Sequence, residues 1–348
     1  MFSRFINLLK QDIKVTIRNY FHFVILFLAT LMIILINFVI PKNVKLTPNE
    51  VFFDNSEGKV LENYLIKQGI DETRIFQSRE ELEKEVEKNN NSIGIIMEGA
   101  LDNAQFIIIH QGSESPEILN VLDSTIESTL DKIRNSVETN NFRVDYLRSK
   151  TEPIPFNKNM IPVIIVTEAV MLGFFLISVM VFQEKEEGSV KAYRVSPGGT
   201  LEYVLSKAVV NVILAVIYSG LVILFTMGFS VNYLSIFLIV ILSSFLMTLV
   251  GLSVSVFFKN LQEFLFVGVF IIAVAGFPLT SYLSPSFAPS FITWLPAYPV
   301  LFGLREVLFP SGKSDFVTSL NLILLAECAV FLVISYLTTH KKLMKEGK

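Results

Sequence analysis

The sequence predicts a polytopic α-helical membrane protein with six transmembrane helices, arranged one plus five, and an α+β extracellular domain between the first and second spans. Three observations carry that expectation. Hydrophobic residues make up 52% of the 348-residue chain. They fall in runs of about 20, which at 1.5 Å per residue cross a hydrocarbon core of roughly 30 Å. One long segment departs from that composition: residues 41–158 hold 14 Lys and Arg against 21 Asp and Glu, whereas the rest of the chain holds 15 against 11. The net charge of −3 averages these two unlike parts.

Residues 1–20 come first. Phe2, Phe5, Ile6, Leu9, Ile13 and Ile17 recur at helical spacing, with Arg4, Lys10, Lys14 and Arg18 between them. That pattern describes a cytoplasmic helix lying in the inner headgroup region. The first span follows at 21–40. Pro41-Lys42-Asn43 comes next in place of a small-residue cleavage site, so the run reads as an anchor and not as a cleavable signal peptide. The remaining spans are expected at 160–182, 204–229, 234–258, 264–282 and 316–337, within a five-helix domain covering 159–340, with a tail at 341–348.

Orientation follows from the cations. With the N-terminus inside, the cytoplasmic pieces hold Arg4, Lys10, Lys14, Arg18, Lys185, Lys191, Arg194, Lys207, Lys259, Lys341, Lys342, Lys345 and Lys348; the short outer loops hold only Arg305 and Lys313. The positive-inside rule then places both termini in the cytoplasm and residues 41–158 outside the cell membrane.

The outer segment reads as a small folded domain. Residues 51–53 form a short strand, 59–67 and 80–88 helices, and 92–97 with 105–110 paired strands. After turn-forming Gly112 to Pro116, apolar residues from Ile118 to Val137 recur at spacings of three and four, predicting a helix of up to about 30 residues that leads back to Pro153 and Pro155. Such a domain either binds a substrate or partner, or caps the exit of a pathway.

Several chemistries are excluded. Ser311-Gly312-Lys313-Ser314 has the end of a phosphate-binding loop, but the required first glycine falls on Val307. No HExxH pair exists, and His22, His110 and His340 are too scattered to form a ligand cluster. Cys328 stands alone in an apolar run, which rules out an intrachain disulfide or a paired-Cys metal site. No Gly-x-Ser-x-Gly elbow is present. The chain is expected not to be an enzyme, to carry no cofactor or metal, and to bind no nucleic acid.

The most informative stretch is the loop at 184–200, opening Glu184-Lys185-Glu186-Glu187-Gly188-Ser189 and running through Ser196-Pro197. It is too polar to be a span and too short to be a domain. A segment pinned between two spans moves only with them, so whatever grips it from the cytosol moves the bundle. Residues 190–195 suit a short amphipathic helix, ended by the restriction that Pro197 places on Ser196.

This loop resembles the one between the second and third spans of ABC-2 type permeases, the membrane subunits of ABC transporters. That family loop runs Glu-Lys/Arg-Glu-x-Gly-Ser/Thr, with Thr/Ser-Pro seven residues later. Glu184, Lys185, Glu186, Gly188, Ser189, Ser196 and Pro197 match it; Tyr193 and Arg194 stand where the family usually has Leu-Leu. The resemblance covers the whole chain, since permeases of this subtype also have an N-terminal amphipathic helix, one span, a large outer domain and five clustered spans. Trp294-Leu295-Pro296 and a helix over 298–305 with Arg305 look like the family's element before the last span. Broken by Pro285, Pro289, Pro296, Pro299 and Pro310, the segment 283–312 reads as short re-entrant helices in the outer leaflet.

The resemblance implies an ABC exporter whose ATPase, with its ATP and Mg, is a separate polypeptide coupled through residues 184–197. It also implies a second permease chain, identical or homologous, and contact with membrane lipid. Relatives handle drugs, antibiotics, peptides, lipids or sodium ions. Two other classes remain: a secondary transporter, for which no repeated span groups are evident, and a membrane-anchored surface receptor or binding protein. Two acids inside the spans complete the candidates. Glu168 in the second span and Glu327 in the sixth lie roughly 12 Å and 15 Å from the outer ends of their helices. A lone carboxylate in hydrocarbon costs at least about 2.5 kcal/mol, so each is expected to face the bundle interior, take up a proton or meet a cation. In related half-transporters the second and fifth spans line the pathway, which makes Glu168 the stronger candidate for a cationic substrate.

Overall fold

The computed structural model describes residues 2–42, 49–88, 92–99, 105–110, 122, 124–126, 128–129, 154–284, 287–310 and 314–345. Two compact units result, one of Met1–Asn43 with Pro153–Lys348 and one of Val44–Glu152.

The first unit begins with α1 (Phe2–Arg18), whose Phe5, Leu9, Ile13 and Thr16 turn inward while Arg4, Lys10, Lys14 and Arg18 face out. Tyr20 adopts φ 61°, which ends α1 and redirects the chain into α2 (Phe21–Val39). Phe21, Ile25, Ala29 and Ile36 form the buried stripe of α2, at spacings of four, four and seven that keep to one helix face. The second span, α5 (Phe156–Glu186), contains a π-helical turn at Ile165–Met171.

After a short helix, α6 (Ser189–Arg194), come α7 (Thr200–Met227) and α8 (Tyr233–Ser255). Helix α8 packs against α5 and α7, and these three bury about half or more of their spans. Their approach is close because α8 presents Ser244, Thr248 and Gly251 to α5. A Cβ at Gly251 would lie 2.6 Å from the Phe174 carbonyl oxygen, so only glycine fits there.

Among the described residues, six helices are long and apolar enough to cross a membrane. The fifth differs from the single helix expected: α9 (Leu261–Ala275) ends at Gly276 and Phe277, and α10 (Pro278–Leu283) restarts the chain. Pro278 has no N–H to continue the ladder, which explains the break. Two more helices follow, α11 (Ser290–Thr293) and α12 (Ala297–Leu308), the latter burying Val300, Leu301, Leu304 and Leu308. Pro299 is tolerated because it falls in the first turn of α12. The last span, α13 (Ser314–Thr338), continues as a π-helical turn through Lys345, so the helix takes in most of the expected tail; 346–348 lie outside the described residues.

The described part of the second unit includes β1 (Asn49–Ser56), α3 (Val60–Lys67), β2 (Ile75–Phe76), α4 (Arg79–Lys88), β3 (Ser92–Gly99) and β4 (Gln105–Ile109). The sheet order is β2-β1-β3-β4, with β1 parallel to both β2 and β3, and β4 antiparallel to β3. Helical crossovers between parallel strands cover both faces, which explains why β3 is apolar almost throughout. Ile93, Ile95 and Met97 meet Leu61 and Leu65 on one face, while Ile96 and Val51 meet Leu82 and Val86 on the other. Of the long helix expected from Ile118 to Val137, residues 122, 124–126 and 128–129 are helical, and Leu122 and Ile126 join the first of these cores; the remainder lies outside the described residues, as do most of Ser311 to Ser314.

Candidate functional site

The charged loop after α5 is built around one backbone conformation. Gly188 adopts φ 74° and ψ 6°, the left-handed region that glycine enters without penalty, and α6 starts at the next residue. Helix α6 is displaced by one residue from the 190–195 expected. At its other end the Ser196 hydroxyl donates to the Tyr193 carbonyl at 2.7 Å and accepts from the Gly198 N–H at 3.3 Å. Pro197 then prevents continuation. Helix α7 opens with Glu202 accepting the Gly199 N–H at 2.8 Å.

The predicted residues separate into inward and outward sets. Glu184 turns inward: its Oε1 lies 2.5 Å from Lys207 Nζ and its Oε2 accepts from the Tyr203 hydroxyl at 2.6 Å. It is therefore part of an internal junction and not of a free surface. Lys207, grouped by the sequence with the flanking cytoplasmic cations, is fully buried on α7 and is no surface charge. Its ammonium also meets Asp12 Oδ1 of α1 at 3.3 Å, and Asp12 Oδ2 accepts from the Ser206 hydroxyl at 2.5 Å. Asp12 was not singled out from the sequence, yet it left a signal. It is the one acid in α1, and it falls three residues after Leu9, on the face that turns inward.

Other members of the loop tie it to neighbouring helix ends. Lys185 Nζ donates to the Phe258 carbonyl at 2.7 Å and the Ser255 carbonyl at 3.4 Å, capping α8, with the Phe182 ring 4.8 Å away. Arg194 Nε donates to the Leu343 carbonyl at 2.6 Å, the Tyr193 hydroxyl to Gly199 at 3.0 Å, and Arg4 to the Pro197 carbonyl at 2.7 Å. Thr200 Oγ1 and His340 Nδ1 are 2.9 Å apart, joining the start of α7 to the end of α13.

Facing out are Glu186, Lys191 and Pro197, with Ser189 half-buried. Val195 is 89% exposed, which no packing within the chain accounts for. A cavity of about 440 Å³ lies between α1, α6 and the start of α7, lined among others by Gln11, Ser189, Tyr193 and Glu202. Burial, together with the negative charges of Glu202, Asp12 and Glu184, pushes the Tyr193 phenol up to about 12.

The family model described as "ABC-2 family transporter protein" matches residues 20–337. The chain belongs to the ABC-2 transporter family. It is thus a multi-pass membrane component of a transport system. No curated protein and no solved structure matches it. Helix α1 precedes the matched stretch, so the Asp12 contact belongs to a part of this ABC-2 protein that the family match does not cover.

Inside the ABC-2 bundle, Glu168 is half-buried within the π-helical turn of α5. π-Helical turns inside α-helices occur often at functional sites. The Tyr218 hydroxyl and both side-chain atoms of Asn211 are buried with no hydrogen-bond partner among the described residues. Glu327 on α13 is half-buried, and its Oε2 has no such partner either. Its neighbour Cys328 is buried, the thiol donating to the Leu242 carbonyl at 3.3 Å. Among the described residues no hydrogen bond or ion pair joins Glu168 to Glu327.

Proposed function

We propose that the chain is the permease subunit of an ATP-driven ABC exporter, coupled through Glu184 to Pro197 to an ATPase carried on a separate polypeptide that binds ATP and Mg. The observation that carries this reading is the division of labour in the loop. One side is anchored to α1, α7, α8 and α13, and the other presents Val195, Glu186 and Lys191 with no partner of their own among the described residues. An element fixed behind and open in front suits a docking surface whose displacement moves the helices it is tied to.

Loop and termini then lie in the cytoplasm and residues 41–158 outside, the orientation that the cation distribution supports. A second permease chain, identical or homologous, completes the path. Helices α2, α9 and α13 bury the least of their length and leave apolar flanks for that partner and for lipid. The substrate class rests on Glu168 alone among these features: an acid at a π-helical turn within the spans favours a cationic cargo, whether an organic drug, antibiotic or peptide or a sodium ion.

Copurification tests the reading. Chain with intact 184–197 retains an ABC ATPase, and replacing Glu186 by lysine releases it because a charge on the docking face is reversed. A chain fully active with no ATPase bound would instead be a receptor or a secondary transporter.

A further inference from the structure

We infer that Lys207 is a positioning residue for coupling: its ammonium clamps α1 to the end of α5, so that α1 and α6 respond to force as one body. Resting on the docking role proposed for α6, the inference adds a helix that lies outside the family match.

The geometry has three arms meeting at one nitrogen. Asp12 comes from α1, Glu184 from the last turn of α5, and Lys207 from α7. Each carboxylate uses its second oxygen on α7 as well, Asp12 on Ser206 and Glu184 on Tyr203. Asp12 and Lys207 are 3% and 0% exposed, so their contact is buried, while Asp12 and Glu184 also border the cavity of about 440 Å³. Removing Lys207 from such a buried group leaves two carboxylates with no counter-charge, whereas removing Asp12 leaves a balanced Lys207–Glu184 pair and frees only α1.

Apolar packing of Leu9 and Ile13 against Met180 and Val210 also holds α1. Its remaining links to the loop, Arg18 with Glu187 at 3.4 Å and Arg4 with the Pro197 carbonyl, are exposed, and exposed contacts of this kind exchange readily with water. Asn19 to Gln183, at 2.9 Å, is half-buried. These polar links are weak, and the charged clamp adds a fixed attachment of α1 to α5 and α7 beyond its apolar packing. With the clamp closed, displacement of α6 is shared among α1, α5 and α7.

The test uses the full-length chain with Cys328 replaced by alanine and spin labels at Lys10 of α1 and Lys191 of α6, both exposed. A narrow distance distribution is expected, broadening in Asp12→Asn and in Lys207→Met and recovered in Lys207→Arg, which keeps the charge. Asp12→Asn leaves the Lys207–Glu184 pair intact and guards against simple misfolding. Unchanged narrow distributions in both Asp12→Asn and Lys207→Met overturn the clamp. A second arm measures ATPase retention and transport per ATP. Asp12→Asn is expected to bind ATPase as wild type but to transport at least tenfold less per ATP; unaltered transport per ATP overturns the inference. If the wild-type chain binds no ATPase, the docking proposal falls, while the label distances still decide the clamp.

Discussion

Replacing Gly188 isolates the backbone term on which the docking helix depends. A Cβ at Gly188 would meet no atom within 4 Å, so a side chain there costs nothing in packing. The penalty comes from φ 74° alone, about 1–2 kcal/mol for an ordinary L-residue and more when β-branched. Asparagine enters that region far more easily. Helix α6 is six residues long, too short to stabilise itself, and net contributions of about 1 kcal/mol each are expected from bonds such as Arg194 to Leu343 and Tyr193 to Gly199. A cost of 1–2 kcal/mol therefore competes with one or two of its anchors and leaves the bundle untouched. Hydrogen exchange of the backbone amides over 189–196 reads this out, since local opening scales with that free energy. Gly188→Val should accelerate exchange there by about 5–30-fold or more, Gly188→Asn only slightly, with peptides from α7 and α8 unchanged. Equal exchange in Val and Asn variants at the wild-type rate would refute the reasoning.

The other expectations are more compact. Tyr193 holds its proton more tightly in the folded chain, at about 12 against an ordinary 10.0, so its contribution to stability is full below pH 10 and is lost as pH rises from 10 towards 12. The melting advantage of wild type over Tyr193→Phe should shrink across that window, and a constant difference would contradict the burial and acidic surroundings assigned to it. In the second unit Leu82 is fully buried against Val51, Val86 and Ile96, and Leu82→Ala should cost about 2–5 kcal/mol, measured by denaturant unfolding of a fragment covering 44–155. That fragment is expected to fold alone with a mixed helix and strand circular dichroism spectrum; a disordered product would mean that the unit depends on the bundle or on a partner. Glu168→Gln should abolish export of cationic compounds while sparing assembly and basal ATP hydrolysis, with a smaller effect from Glu327→Gln, and undiminished cationic export would remove Glu168 from the path.

The spans were legible in the sequence because a bilayer imposes one requirement on every crossing helix, a long apolar run with its backbone satisfied internally. Gly188 and the Ser196-Pro197 stop were legible for a similar reason, each being a local backbone constraint. Long-range partners were not. Lys207 occurs one turn after a span begins, where a flanking cation and a buried one look alike until Asp12 and Glu184 arrive from α1 and α5. The order of β1, β2 and β3 likewise depends on crossovers and not on local pattern. The break at Pro278 was visible as a residue, but its consequence was hidden within an unbroken apolar run.

The central claim is that an ATPase grips the exposed side of α6, and site-directed cross-linking at Val195 tests it most directly. In a Cys328→Ala background, Val195→Cys should form an adduct with a copurifying ABC ATPase. Its yield should change when ATP is added, whereas a cysteine placed at buried Val190 of α6, the helix that Val195 caps, should form none. Adducts at neither position, from a preparation that still transports, would contradict the account.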